Sequence, residues 1–220
     1  MIELKDLTKI YRQSSELSVK AVDRVNLKIK SGDFAVITGR SGSGKTTLLS
    51  MIGGLTKPTY GKVLIEGIDL WNLDDKTLSA FRNRKIGFVF QFPSLIPTLS
   101  VLENLIVPAV FSGVNLKTYR RAFTLLKLVG LAEKYHAYPH QLSAGQQRRV
   151  TIARALINKP EIVLADEPTS DLDEDTEREI MELFKQINTD ATILLVTHNP
   201  ELSVYGNRHF RMSQGKLTEL

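Results

Sequence analysis

A glycine-rich segment at residues 39–46, Gly-Arg-Ser-Gly-Ser-Gly-Lys-Thr, has the residue types and the spacing needed to hold a phosphate chain. It matches the pattern G-x-x-x-x-G-K-[ST] at every fixed position. Its glycines let backbone amides turn toward an anion without side-chain clashes. The Lys45 ammonium can reach the β- and γ-phosphates of a nucleotide, and the Thr46 hydroxyl can ligate Mg²⁺. The residues predicted to bind the nucleotide here are Gly39, Arg40, Ser41, Gly42, Ser43, Gly44, Lys45, Thr46 and Thr47.

The segments on either side of this phosphate loop (residues 39–46) have the patterns of a strand and a helix. Residues 34–38 form a short apolar run typical of a buried strand, and residues 47–52 fit the first turns of a helix. A helix that begins at the loop would add free N–H groups and the positive end of its dipole. A plain Gly/Ser turn is the alternative, and the strand–loop–helix context argues against it.

Two adjacent carboxylates, Asp166 and Glu167, follow a second apolar run at residues 162–165. A run that is apolar on both faces is typical of a strand in a covered parallel sheet. Ligands bind at the carboxyl ends of such strands. We therefore predict that Asp166 helps to hold Mg²⁺ and that Glu167 orients and polarises the attacking water. An isolated Asp-Glu pair would more often cap the next element, but a phosphate loop elsewhere in the chain favours hydrolysis.

A second candidate anion site is the Ser143 turn (residues 142–146), which opens a predicted helix running to residue 156. Free amides at a helix N-terminus attract anions. The alternative is an ordinary N-cap, in which the Ser143 hydroxyl satisfies those amides. The turn by itself leaves both interpretations open.

Composition indicates a single α/β domain and excludes several classes of protein. The 220 residues are 42% hydrophobic, which is enough for a large core. There is no cysteine, so disulfides and thiolate metal sites are excluded. We expect no secretory signal at the N-terminus, and the apolar run at 105–111 is too short to span a bilayer. The net charge of +5 is dispersed, which favours a solvated surface over a nucleic-acid site.

The order of elements predicts three parts within this domain. Alternating apolar residues at 2–7, 22–29 and 62–67 indicate an N-terminal antiparallel sheet, with a loop at 12–16 between its first two strands. Residues 100–156 have a helical pattern, with breaks expected at prolines and glycines. We predict one domain over 1–220, in which an ATPase core (1–91 and 157–220) carries an inserted helical subdomain (92–156). The expected breaks are Pro108, Gly113, Gly130 and Pro139.

Six motifs in a fixed order resemble the ATP-binding subunits of ABC transporters, and the resemblance covers essentially the whole chain. The residues around Gln91 and the Ser143 turn are most similar to the branch that contains the lipoprotein-release and macrolide-export systems. The motifs are the phosphate loop, Gln91 after a strand, the Ser143 turn, Asp166-Glu167, Ser170-Asp171-Leu172-Asp173 and His198.

The resemblance implies the α/β fold of RecA-like P-loop NTPases, with a mostly parallel core sheet. It also implies a head-to-tail homodimer on ATP binding, in which Ser143, Gly145 and Gln146 of one subunit close over the ATP held by the other. Tyr11 would stack on adenine, and His198 would contact the γ-phosphate. Gln91 would sense Mg²⁺ and water and link the site to a membrane partner.

The function implied is hydrolysis of ATP to ADP and phosphate, with ATP and Mg²⁺ in the site, to power a separate integral membrane permease. The protein would then be cytoplasmic and peripheral on the inner face of the cell membrane, with no nucleic-acid partner. One alternative is a scaffold-type ABC ATPase that regulates cell-envelope machinery without moving a solute. A soluble DNA-repair or translation ATPase is a further alternative, although we find no long coiled-coil insertion and no tandem second ATPase unit.

Three residues depart from the family pattern. Ala144 stands where glycine is usual, which is tolerable if its φ is negative and costly if it is positive. Asp171 adds a negative charge near the expected dimer interface, and Arg40 stands where proline is frequent. None of these changes removes a group needed for hydrolysis, so the first two bear on closure of the dimer.

Overall fold

The computed structural model describes residues 1–12 and 18–220. The predicted loop at 12–16 lies outside the described residues, apart from Arg12, which ends the first strand. By their contacts the described residues form two compact units. Unit one comprises Met1–Arg82 and Thr192–Leu220, and unit two comprises Asn83–Ala191. The predicted boundaries of the helical subdomain, 92 and 156, stay a prediction.

The described residues form strands and α-helices in both units. The strands are β1 (Ile2–Arg12), β2 (Ser18–Ile29), β3 (Phe34–Thr38), β4 (Tyr60–Ile65), β5 (Ile68–Asp69), β6 (Ile86–Val89), β7 (Ile162–Asp166), β8 (Thr192–Thr197), β9 (Arg208–Ser213) and β10 (Lys216–Glu219). The α-helices are α1 (Lys45–Ile52), α2 (Asp75–Lys85), α3 (Val101–Val110), α4 (Leu116–Leu128), α5 (Ala144–Ala155) and α6 (Glu174–Asn188).

Unit one contains the predicted antiparallel sheet. Its strands have the order β2-β1-β4-β5, and β1 pairs antiparallel with both β2 and β4. Ile2 and Leu4 of β1 are buried on one face of the strand, since successive side chains point to opposite faces. Leu7 is also buried, after a shift in the strand register between Leu4 and Leu7. The expectation of an N-terminal antiparallel subdomain is therefore confirmed.

Unit one also contains the strand that leads into the phosphate loop. Strand β3 lies between β8 and β9 and is parallel to both. All five of its residues are buried, which explains why it reads as a continuous apolar run. Helix α1 follows the phosphate loop and packs on β8. The hairpin of β9 and β10 was not predicted, because its alternating polar residues (Arg208 and Arg211 among them) resemble an exposed tail.

Unit two combines a parallel pair of strands, β6 and β7, with the helices α3 to α6. Helix α5 packs on α3, α4 and β6. The break predicted at Pro108 is wrong, because Pro108 lies inside α3, close to its C-terminal end. Its carbonyl lies in the last turn of the helix, where intrahelical amide donors are lacking, and it accepts hydrogen bonds from the side chains of Asn83 and Asn158. Among residues 1–12 and 18–220, no helix is both long enough and apolar enough to span a membrane.

Candidate functional site

The phosphate loop owes its shape to glycines in the left-handed region. Gly42 has φ 76° and Gly44 has φ 107°. Gly44 is the N-cap of α1, and no side chain caps the helix there. A Cβ at Gly44 would lie 2.0 Å from the carbonyl oxygen of Ala21, so no other residue fits. The first turn of α1 contains no acidic residue, which leaves its N-terminus suited to an anion.

Lys45 folds back over the phosphate loop. Its Nζ donates to the carbonyl of Gly39 at 2.7 Å and to that of Arg40 at 3.2 Å, and the side chain is buried. The backbone of Ser43 is held as well, since its amide donates to the Arg40 carbonyl and its carbonyl accepts from the Gly215 amide. The residues predicted to bind the nucleotide differ in their exposure. Two are buried (Ser43 and Lys45), three are half-buried (Gly39, Gly44 and Thr47), and four are exposed (Arg40, Ser41, Gly42 and Thr46).

Two carboxylates end a buried strand in unit two, as predicted. Asp166 is the last residue of β7, and both Asp166 and Glu167 are buried. Glu167 has φ 45°, a left-handed conformation that costs a non-glycine residue about 1–2 kcal/mol. Its carbonyl accepts from both the amide (3.2 Å) and the hydroxyl (3.0 Å) of Ser170, which stabilises this turn. Strained conformations of this kind cluster at functional sites.

The Ser143 turn has the geometry of an N-cap, which was the alternative interpretation. The Ser143 hydroxyl accepts from the Gln146 amide at 3.3 Å, and the Gln146 side chain accepts from the Ser143 amide at 3.1 Å. Ala144 begins α5 and is not among the residues with positive φ, so alanine is unstrained there. A Cβ at Gly145 would lie 2.7 Å from the Thr176 methyl group. Ser143 stays exposed, so capping does not prevent it from meeting a ligand.

Gln91 lies in a loop whose two ends were not predicted from the sequence. The Gln91 loop (residues 90–100) connects β6 to α3, and Gln91 itself is exposed. Val89 of β6 pairs with Ala165 of β7. Asp166, which ends β7, and Gln91, two residues beyond the end of β6, therefore both belong to the carboxyl edge of this strand pair.

Two further predicted residues belong to unit one. Thr38 at the end of β3 pairs with Thr197 at the end of β8, so the phosphate loop and His198 follow adjacent strand ends. His198 is exposed. Tyr11 in β1 is 41% exposed, and Lys9 Nζ lies 5.1 Å from the centre of its ring. The ring is therefore partly exposed, with the Lys9 ammonium over one of its faces.

Three residues that organise the Gln91 loop were missed by the sequence reasoning. Arg148 and Arg154 of α5 donate to its backbone carbonyls, and Asn104 of α3 is fully buried against its second half. All three are polar residues on the buried side of a helix. A polar residue at an apolar position of the helical repeat is the signal that could have identified them.

The comparisons with known proteins agree with this geometry. Residues 22–170 match the family model described as ABC transporter. An uncharacterized ABC transporter ATP-binding protein of Thermotoga maritima is 47% identical over 219 residues, which are 99% of this chain and 93% of that protein. The lipoprotein-releasing system ATP-binding protein LolD of Syntrophus aciditrophicus is 41% identical over 220 residues (99% and 98%). The macrolide export ATP-binding/permease protein MacB of Hyphomonas neptunium is 41% identical over 219 residues, but this chain covers 34% of its length.

A solved structure shows the same fold. It is a dimer of the cassette MJ0796 of Methanocaldococcus jannaschii, in a post-hydrolysis state with ADP and phosphate. The TM-score is 0.92 at 43% identity, and the match covers 100% of this chain and 98% of that one. The expected fold class and the resemblance to the lipoprotein-release and macrolide-export branch are confirmed. The chain belongs to the ABC transporter family, and it is an ATP-hydrolysing cassette of that family.

Proposed function

We propose that the chain powers a separate membrane permease by hydrolysing ATP at the cytoplasmic face of the membrane. The observation that carries the proposal is the phosphate loop, with two left-handed glycines, an uncapped start of α1 and Lys45 folded over its carbonyls. An ordinary turn needs none of these features. LolD and MacB are named as ATP-binding parts of lipoprotein-releasing and macrolide export systems, which supports a transport role for this chain.

Catalysis in this proposal depends on positioning and electrostatics. The amides of the phosphate loop and the Lys45 ammonium would hold the phosphates of ATP, and Tyr11 would stack on adenine. Glu167 would accept a hydrogen bond from the attacking water and aim it at the γ-phosphate. His198 would contact the γ-phosphate and stabilise charge as it develops.

Mg²⁺ fits the residues that we assign to it. Thr46, Gln91 and Asp166 offer a hydroxyl, an amide and a carboxylate oxygen, and hard oxygen donors are the ligands that Mg²⁺ prefers. In the part of the chain that the structure describes, no three His, Cys, Asp or Glu side chains form a metal cluster. A site with one protein carboxylate suits an ion that keeps waters and phosphate oxygens as its other ligands. The bound ion would neutralise charge on the phosphates.

We further propose that two copies of the chain enclose two ATP molecules, with Ser143, Gly145 and Gln146 of each copy closing over the nucleotide of the other. Ser143 is exposed although it caps α5, so it can meet a second ligand. Sedimentation of the Glu167→Gln chain should show a monomer without nucleotide and a dimer with ATP, since ATP adds contacts across the interface. A dimer whose affinity ignores ATP, and which survives Ser143→Trp, would contradict the shared site.

The permease would dock on the Gln91 loop and on a neighbouring groove. Phe92 is 68% exposed and Ile96 is 40% exposed, which is unfavourable unless another molecule covers them. Next to this loop, unit two has a cavity of about 510 Å³. Leu99 belongs to both, so the apolar surface is continuous, and a short apolar helix of the permease would fit it. The apolar residues lining the cavity include Leu99, Leu102, Ile106, Val110 and Tyr119.

Phe92→Asp and Ile96→Asp test this docking surface. Both variants should lose the integral membrane permease that co-purifies with the wild type from detergent-solubilised membranes, while ATP binding by the isolated chain stays near wild type. Phe111→Asp is the matched control, because Phe111 is 83% exposed in the same unit but does not line the cavity. Normal recovery of the permease with Phe92→Asp and Ile96→Asp would place the docking surface elsewhere.

Reconstitution into liposomes separates transport from the scaffold alternative. A transporter should couple permease-stimulated hydrolysis to movement of a solute. Stimulated hydrolysis with no solute moved across the membrane, for every solute offered, would favour a scaffold that regulates cell-envelope machinery.

A further inference from the structure

Two arginines of α5 hold the backbone of the Gln91 loop. Arg148 donates from Nη1 to the carbonyl of Phe90 at 2.6 Å and from Nη2 to the carbonyl of Gln91. Arg154 donates from Nη1 to the carbonyl of Ser94 and from Nη2 to that of Pro93, both at 2.9 Å. Four of the five carbonyls in residues 90–94 are therefore bound to one helix.

These hydrogen bonds are of the strong, charge-assisted kind. Arg148 is only 4% exposed, and burial lowers the pKa of its guanidinium below the ordinary value. Burial also lowers the pKa of Arg154. Both Nη atoms of Arg148 are bound to loop carbonyls, although its Nε is buried without a hydrogen-bond partner among the described residues. Bonds from a charged donor contribute more than neutral ones. The loop is thus tied to α5 more firmly than van der Waals contact would tie it.

The same helix begins at the Ser143 turn. Helix α5 has 12 residues and is about 18 Å long, with Ser143 as its N-cap. No glycine or proline interrupts it after Gly145, so it can move as a rigid element. The N-terminal end of α5 therefore contains residues proposed to close over the partner copy's ATP. Two arginines further along the same helix bind the chain's own Gln91 loop.

Asp171, in a third segment of unit two, acts on Arg148 through its charge. Its carboxylate opposes the effect of burial and raises the pKa of the Arg148 guanidinium. Asp171 lies in the turn after Glu167, in the left-handed conformation that aspartate tolerates, with φ 63°. The residue that departs from the family pattern thus supplies a negative charge near the buried arginine.

We propose that Arg148 and Arg154 are positioning residues that make the Gln91 loop move with α5. Closure of Ser143 and Gly145 over one ATP then sets the position of Gln91 at the other ATP, and the two sites of the dimer become coupled. This inference rests on the shared site proposed above. Neither arginine needs to touch the nucleotide, because each acts through the backbone around Gln91.

Hydrogen exchange followed by mass spectrometry tests the coupling in the Glu167→Gln chain, which should retain ATP. In this parent, ATP should slow exchange both in the Ser143 turn and in residues 90–99, where the amides of Ile96 and Leu99 are hydrogen-bonded. In Arg148→Gln and Arg154→Gln, ATP should still protect the Ser143 turn but no longer residues 90–99. Without ATP, exchange in residues 90–99 should be about ten- to a hundredfold faster than in the parent.

Matched variants separate coupling from general loss of structure. Arg149→Gln is the control, because Arg149 lies on the same helix but bonds to Val129 and Glu179, away from the loop. Arg148→Lys keeps the charge without the two-pronged donor, so it should restore part of the protection. If Arg148→Gln does not fold, Arg154→Gln decides alone, since Arg154 is only half-buried.

Cooperativity provides a readout that a purely structural role would not change. With Glu167 intact, Arg154→Gln should lower the Hill coefficient for ATP hydrolysis relative to the wild type, whereas Arg149→Gln should leave it unchanged. ATP protection of residues 90–99 that persists in both glutamine variants would overturn the inference, as would equal effects of Arg149→Gln. If ATP fails to protect the Ser143 turn even in the parent, the shared site itself is wrong and the coupling fails with it.

Discussion

The phosphate loop and the Gln91 loop acquire their shapes in opposite ways. The phosphate loop is shaped mainly from within, by left-handed glycines and by bonds from Lys45 and Ser43 to its own carbonyls, with one further bond from the distant Gly215 amide. The Gln91 loop is held from outside, by arginines that lie 57 to 61 residues further along the chain. Its second half is held by Asn104, whose Nδ2 donates to the carbonyls of Ile96, Leu99 and Ser100.

This difference shows which kind of functional site can be recognised from a sequence motif. A loop that binds a fixed ligand such as phosphate can be built by a contiguous segment, because glycine conformations and a helix N-terminus suffice. A loop that must respond to events elsewhere needs contacts with distant elements. The Gln91 loop has such contacts with both α3 and α5.

The largest effect is expected at Glu167, which lies outside both loops. Its substitution should affect ATP hydrolysis and leave ATP binding intact. Glu167→Gln removes the carboxylate and keeps the shape, so ATP hydrolysis should fall by about 10²–10⁴-fold while ATP still binds. Phosphate release and nucleotide affinity should be measured together. In contrast, Lys45→Ala should weaken nucleotide binding. Equal turnover by the wild type and Glu167→Gln would show that another residue prepares the water.

Gly44→Ala should damage the phosphate loop from within. A methyl group there would meet the Ala21 carbonyl at 2.0 Å, on a backbone with φ 107°. We expect a loss of about 3 kcal/mol or more in the free energy of unfolding, together with loss of ATP binding. Gly42→Ala is the control: its φ is also positive but its Cβ would meet open space, so it should cost only about 1–2 kcal/mol. Equal costs measured in urea would mean that the contact with Ala21 is unimportant.

Asn104→Ala should damage the Gln91 loop from outside and spare the phosphate loop. It would leave the partly buried amide of Ile96 and several carbonyls without their side-chain partner, so the free energy of unfolding should fall by about 2–3 kcal/mol. ATP affinity, measured below the onset of unfolding, should change little. A large loss of ATP affinity in the folded variant would show that the phosphate loop depends on the contacts that hold the Gln91 loop.

The smallest effect is expected at Ala144. Because its backbone is helical, Ala144→Gly relieves no strain and should cost about 0.5–1 kcal/mol through chain entropy. The ATP-dependent dimer of the Glu167→Gln chain should keep its affinity within a few-fold, as judged by sedimentation. Marked tightening of the dimer would instead show that alanine is strained when the site closes.

Much of the fold could be predicted because its strands are buried on both faces. Strand β3 was predicted at residues 34–38 and lies at those residues, and β7 differs from its prediction by one residue. The hairpin of β9 and β10 was missed because half of its side chains face solvent and alternate with apolar ones over a short length. Pro108 was predicted to break the helix because it has no N–H, but α3 continues two residues beyond it to Val110, so the loss of one backbone hydrogen bond does not end the helix there.

The amino-acid sequence alone indicates the chemistry of this protein. The phosphate loop, Asp166-Glu167 and the order of the motifs are local or linear properties, so the residue types and their spacing are enough to indicate ATP and its hydrolysis. The way in which the Gln91 loop is held, and the absence of backbone strain at Ala144, are seen only in the folded chain. The contacts of Arg148, Arg154 and Asn104 depend on which helix packs on which loop. No spacing rule encodes that choice, because packing brings together residues that are far apart along the chain.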